Sequence, residues 1–179
     1  SGFHTDPVGL LLSHRADWAI VSEVEQNDDV LFKPLFSYEM VGICSKDHPL
    51  ANKEVWQAED FAEETWVTYP VPDDMLDLYR QVLKPKGINP PRRTTELTIA
   101  LIQLVASRRG IATVPYWAAL PYLEKGYVVA RKITEEGLYS NLYAAIRKED
   151  ANLAYIEDFH QTVKAQSFST LPGLSVLEL

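Results

Sequence analysis

The chain has 179 residues, 46% apolar and 23% charged, the balance of a folded globular protein made of one ordinary domain or two small lobes. It holds 17 Lys and Arg against 25 Asp and Glu, so its net charge is -8, which argues against nucleic-acid binding through its own surface. No apolar run reaches the roughly eighteen residues of a membrane-spanning helix, no charged-then-apolar leader is present, and the lone Cys44 allows no internal disulfide, which suits a reducing cytoplasm.

In chain order, Asp6 and Pro7 ahead of Leu10 and Leu11 predict an early helix, because proline fits a first turn. Trp18 to Val21 reads as a buried strand, and the acidic stretch from Glu23 to Asp29 as a loop. Glu39 to Ser45 reads as a second strand and Thr65 to Tyr69 as a third, the latter bounded by Pro70 and Pro72. Asp73 or Asp74 then caps a predicted helix with apolar positions Met75, Leu78, Val82 and Leu83, and Gly87 follows its end. The clearest helix carries Leu97, Leu101, Leu104 and Val105, with Thr94 or Thr95 as its cap and Gly110 as a left-handed terminator. Ile111 to Pro115, Tyr127 to Ala130 and Leu142 to Ile146 read as further strands, and Ile156, Phe159 and Val163 mark a late helix. The tail after Ser167 reads as irregular. Alternating strands and helices predict α/β units and a largely parallel sheet.

No catalytic or metal constellation stands out. The histidines, His4, His14, His48 and His160, lack the spacing of a helical zinc site, and no phosphate-binding glycine loop or nucleophile elbow is present. Cys44 falls inside an apolar strand, where a thiol behaves as a small hydrophobe rather than a nucleophile. His48, before Pro49, reads as a capping group. The strand ends are more informative, because in open α/β sheets ligands sit beyond the carboxyl ends of strands, against helix N-termini. Four places qualify: Phe3 to Asp6, Ser22, Tyr69 to Asp73, and Thr95 to Thr98. Taken one at a time, each is more readily an ordinary cap or turn, because capping is so common.

Four segments in order carry a resemblance. Arg15-Ala-Asp-Trp-Ala-Ile20, the run from Pro34 to Ala51 with its His48-Pro-Leu-Ala51 turn, Leu104 to Pro115 and Leu142 to Arg147 together resemble the effector-binding domain of LysR-type transcriptional regulators. Further segments resemble the family's regulators of methionine biosynthesis: Thr68 to Val71, Leu101 to Ala106, Pro115 to Trp117 and Gly137 to Ala145. The resemblance implies a ligand-sensing domain and not an enzyme, with no cofactor and with homocysteine as small-molecule co-effector. An extracytoplasmic solute-binding protein of the same fold is the alternative.

The implied fold is α/β and two-lobed, like a type II periplasmic binding protein, here lacking the family's first β-α-β segment. Lobe I would comprise residues 1–37 and 150–179, and lobe II residues 38–149. The implied effector contacts are His4, Thr5, Ser22, Tyr69, Pro70, Asp73 and Thr98, with a ligand carboxylate on helix N-termini and its ammonium near Asp73. The resemblance further implies a cytoplasmic homodimer or homotetramer, assembled through elements near 7–14 and 73–84. DNA contact would run only through an N-terminal winged helix-turn-helix outside this sequence, and no membrane is involved.

Overall fold

A computed structural model describes residues 6–177. His4 and Thr5, expected in an effector-contact loop, lie outside the described residues. In chain order the elements are α1 (Pro7–Leu12), β1 (Trp18–Val21), β2 (Val30–Cys44), β3 (Val55–Trp56), β4 (Trp66–Thr68), β5 (Arg92–Thr94), α2 (Thr98–Ala106), β6 (Ile111–Pro115), α3 (Tyr116–Glu124), β7 (Val129–Ile133), β8 (Leu138–Arg147), α4 (Ala154–Thr170) and β9 (Leu174–Ser175). Two compact units result. One takes the chain up to Tyr38 and from Ser140 onward, and the other spans Glu39–Tyr139.

In the first unit, Asp6 caps α1: its carboxylate accepts from the Gly9 amide at 2.7 Å, and Pro7 occupies the first turn. β1 runs antiparallel to β8, with Trp18 opposite Ile146 and Val21 opposite Tyr143. Successive β8 side chains point to opposite faces. Ala145 packs with Val8, Leu11, Val21 and Phe32 on the α1 side, whereas Ala144 and Ile146 pack with Leu35, Phe36 and Ile156 on the α4 side. The buried Arg147 closes the unit. It donates to the Leu11 and Ala16 carbonyls at 2.9 and 2.5 Å, and to Asp17 and Asp150 at 2.6 and 2.5 Å.

In the second unit the end of β2 pairs antiparallel with β6, from Met40 opposite Pro115 to Ile43 opposite Ala112, and with β7. β4 lies parallel to both β5 and β6, and β3 parallel to β7. The same alternation builds two cores. Ile43, Val67, Ala112 and Val114 face Leu101, Ile102 and Val105 of α2, while Cys44, Trp66 and Ile111 face Trp56, Phe61, Leu78, Leu83 and Ile133.

The expected α/β class and two-lobed fold are present, but several local expectations change. The sheet is mixed rather than largely parallel, because β2 and β8 enter antiparallel to their neighbours. The return to the first unit falls at Ser140, whereas the resemblance placed it near Glu149; Tyr143 to Ile146 pair with β1, which draws that stretch into the first unit. The helix expected from Asp73 is broken into a 3-10 turn at Asp73–Met75, a π-helical turn at Tyr79–Leu83 and a 3-10 turn at Lys84–Lys86. Leu76, in extended conformation, interrupts it, and Gly87 ends it at φ 67° as expected.

Neither Thr94 nor Thr95 caps α2. Leu97 precedes it in extended conformation with no side-chain cap. Arg108 takes the left-handed conformation at φ 59°, and Gly110, at φ 148°, is needed instead because a Cβ there would meet the Thr65 carbonyl oxygen at 2.2 Å. The strand expected at Tyr127 begins at Val129, and α3, with Pro121 inside it, was not legible after Pro115. The tail is regular: α4 continues to Thr170, and β9 pairs with Ser37 and Tyr38 of β2.

Candidate functional site

The second unit brings the carboxyl ends of β4 and β5 side by side, because the two strands are parallel and in register from Trp66 opposite Arg92 to Thr68 opposite Thr94. The Thr95 amide donates to the Thr68 carbonyl at 3.0 Å, one residue beyond the ladder. Past these ends the chain makes two loops: Tyr69-Pro70-Val71-Pro72 into the 3-10 turn at Asp73, and Thr95-Glu96-Leu97 into α2.

The Tyr69 hydroxyl and Thr98 Oγ1 are hydrogen-bonded at 2.7 Å, so the two loops meet through their side chains. Thr98 is the first residue of α2, and the first intrahelical bond runs from the Leu101 amide to the Leu97 carbonyl at 3.0 Å. The amides of Thr98, Ile99 and Ala100 therefore have no partner within the helix, and no Leu97 side chain can cap them. An uncapped helix start beside two hydroxyls suits a carboxylate: the amides and the helix dipole supply partial positive charge, and the O–H not spent within the hydroxyl pair can donate.

Asp73 binds Arg92 through its Oδ1, and its side chain stays 47% exposed. The Arg92 guanidinium carbon lies 5.0 Å from the centre of the Trp66 ring and 5.1 Å from that of Tyr79. Of the expected contacts, Tyr69, Pro70, Asp73 and Thr98 thus share one end of one unit. Ser22 belongs to the other unit, exposed immediately after β1. Sequence reasoning missed Arg92. The signal that finds it is register: on parallel in-register strands Arg92 shares a sheet face with Trp66, an aromatic face suited to a guanidinium.

The remaining candidates keep their quiet roles. Cys44 is fully buried, and burial pushes its thiol up to about 11. His48 caps the 3-10 turn Pro49–Asn52, its Nδ1 accepting from the Leu50 amide at 3.2 Å, and its Nε2 lies 3.3 Å from Glu64. Among the described residues no group of His, Cys, Asp and Glu is arranged to hold a metal ion, and no helix is long and apolar enough to cross a membrane.

Residues 1–167 match the family model for the LysR substrate binding domain. The chain belongs to the LysR family of substrate-binding domains. Within that family it is 86% identical over all 179 residues to the HTH-type transcriptional regulator MetR of Haemophilus influenzae, covering 58% of that protein. It is 35% identical over 178 residues to MetR of Escherichia coli K12, covering 99% of this chain and 56% of that protein. The LysR domain described here therefore spans a little over half the length of the curated relatives it matches.

Among solved structures, the regulatory domain of MetR from N. meningitidis superposes with a TM-score of 0.92 at 66% identity, over 99% of this chain and 82% of that one. The effector-binding domain of QuiR, solved with shikimate, superposes with a TM-score of 0.72 at 23% identity, over 89% of this chain and 77% of that one, a likeness of fold. The sequence resemblance to LysR regulators is thereby borne out, and so is the likeness to the family's methionine regulators.

Proposed function

We propose that this LysR domain is the effector-sensing part of a cytoplasmic transcription regulator of methionine biosynthesis, with homocysteine as its co-effector. The observation that carries the reading is the uncapped start of α2 beside the Tyr69–Thr98 hydroxyl pair, on a chain 86% identical to a MetR. The amino-acid carboxylate lies on the Thr98, Ile99 and Ala100 amides. Its ammonium reaches the exposed side of Asp73, which keeps room for a second cation while holding Arg92. Leu97 and Ile99, both exposed, offer apolar surface for a short thiol side chain.

Pro70 sets the loop; Ser22, His4 and Thr5 are carried as effector contacts by the family resemblance alone. In this reading the effector favours one arrangement of the protein by its difference in affinity, and DNA contact belongs to an N-terminal winged helix-turn-helix outside the chain. The working protein is a homodimer or homotetramer. No catalytic group is needed, and the names of the relatives, all transcription regulators, support a sensor over an enzyme.

The test is calorimetry on the full-length protein. L-Homocysteine should bind and L-methionine and L-cysteine should bind more weakly, while alanine at His4 or at Asp73 should weaken homocysteine binding. Unchanged affinity in both variants would refute the site.

A further inference from the structure

We propose that Arg92 is the positioning residue of the loop that presents Tyr69 and Asp73, held by two aromatic rings on one side and binding one carboxylate on the other. This deepens the reading of that loop as the effector site and rests on it.

The hydrogen bonds inside the loop are all local. The Val71 amide donates to the Tyr69 carbonyl at 2.9 Å, Met75 to Pro72 at 3.0 Å and Leu76 to Asp73 at 3.0 Å. None of these ties the loop to the sheet. Side-chain contacts that reach beyond it include Tyr69 to Thr98, Asp73 to Arg92, and Asp74 to Lys84 at 2.7 Å. The last joins two side chains that are 71% and 56% exposed, where an ion pair contributes little.

The Asp73–Arg92 contact differs in kind. Arg92 comes from β5, in register with the buried Trp66, and its guanidinium lies over both the Trp66 and Tyr79 rings, so its position is set by the core and not by solvent. Its Nη2 is buried and meets no acceptor among the described residues. The Arg92 side chain is only 21% exposed, so losing Asp73 would leave its charge poorly compensated, and this contact outweighs an ion pair held in solvent. Arg92 therefore fixes Asp73 in place, and through Asp73 it fixes the turn that follows Tyr69. The planar fork is suited to this task, since it stacks and donates at once.

The test compares full-length wild type with Arg92→Met, Arg92→Lys and Asp73→Asn by amide hydrogen exchange and by calorimetry with L-homocysteine. Arg92→Met should speed exchange at Met75 and Leu76 by about tenfold and raise the Kd by about tenfold, the size of one lost charge-assisted hydrogen bond. Exchange at Leu101 to Val105 in α2 should not change. Arg92→Lys, which keeps the charge on Asp73, should recover part of both effects. Asp73→Asn, which leaves the ring contacts intact, should loosen the same amides even if Arg92→Met does not fold.

Unchanged exchange at Met75 and Leu76 in Arg92→Met and Asp73→Asn would overturn the proposal. So would acceleration spread evenly over the second unit, the mark of a merely structural residue. If wild type takes up no homocysteine, the effector reading fails, and the exchange data still decide the role of Arg92.

Discussion

Cys44 shows how one residue's chemistry follows from its place on a strand. It lies in β2, alternating with Ile43, and both side chains are fully buried on opposite faces of the sheet. Burial disfavours the thiolate and dominates the shift, Arg131 opposes it by favouring negative charge, and Glu64 adds to it; together they hold the thiol at about 11 against an ordinary 9.0. The thiolate is the reactive form, so a disulfide reagent at pH 8 should modify native protein far more slowly than protein unfolded in urea, and a thiol titration follows this directly. Equal rates in the two states would mean that Cys44 is exposed. The same shift has a consequence for stability. The native state holds the proton more tightly than the unfolded chain, so the contribution is whole below pH 9.0 and is lost as pH rises from 9.0 through about 11. This much was legible from the sequence, because an apolar strand pattern places its lone cysteine inside. Trp56 against Gly42 was not. A Cβ at Gly42 would sit 2.4 Å from the Trp56 ring, and no local pattern pairs a glycine with an indole fourteen positions on.

At the level of elements, the first unit depends on one buried cation. Arg147 ends β8 and reaches the carbonyls at the end of α1 and after it, the Asp17 carboxylate before β1, and Asp150 ahead of α4. Replacing it with methionine keeps the stem and removes four partnerships, although the Leu11 carbonyl still accepts from the His14 amide at 3.0 Å. The expected loss is about 1.5–3 kcal/mol, the range for hydrogen bonds to a charged group, because the Asp17 carboxylate left behind is 63% exposed. Urea unfolding should show the lower midpoint at unchanged slope. A midpoint within experimental error of wild type would mean that these contacts carry no net stability. The sequence marked Arg147 only as the last residue of a segment that carries the family resemblance. Its role comes from contacts more than a hundred positions apart in the chain, which no periodicity encodes. By contrast β1 and β6 were legible at both ends and α1 at its start, since each has its own signal: a short apolar run, an apolar run closed by Pro115, and a capping aspartate with proline. The helix expected after Asp73 failed for a tertiary reason. Asp73 and Asp74 hold Arg92 and Lys84 instead of capping, and Leu76 turns extended between them. Tyr69 and Thr98 were placed correctly as strand-end residues, but their 2.7 Å contact depends on β4 and β5 being adjacent and parallel, which is topology rather than pattern.

For the whole molecule the charge bears on what this domain can bind by itself. The chain carries -8, and four of its eight arginines pair with carboxylates on the same chain: Arg80 with Asp77, Arg92 with Asp73, Arg108 with Asp47, and Arg147 with Asp17 and Asp150. A DNA-binding surface needs the opposite arrangement, several unpaired cations on one face that release counterions from phosphates. The 179-residue chain alone should therefore show no binding to duplex DNA at physiological salt. The full-length protein should bind, with log affinity falling against log salt at a slope of about -0.9 for each phosphate neutralised. Fluorescence anisotropy over a salt series with both proteins measures the slopes. A salt-dependent affinity of the isolated chain comparable to that of the full-length protein would place the DNA contact on this domain and overturn the division of labour. If the division holds, any effect of homocysteine on DNA affinity must pass from one domain to another. By linkage, DNA must then shift homocysteine affinity by the same factor, so titrating the effector with and without operator DNA measures that coupling from the other side.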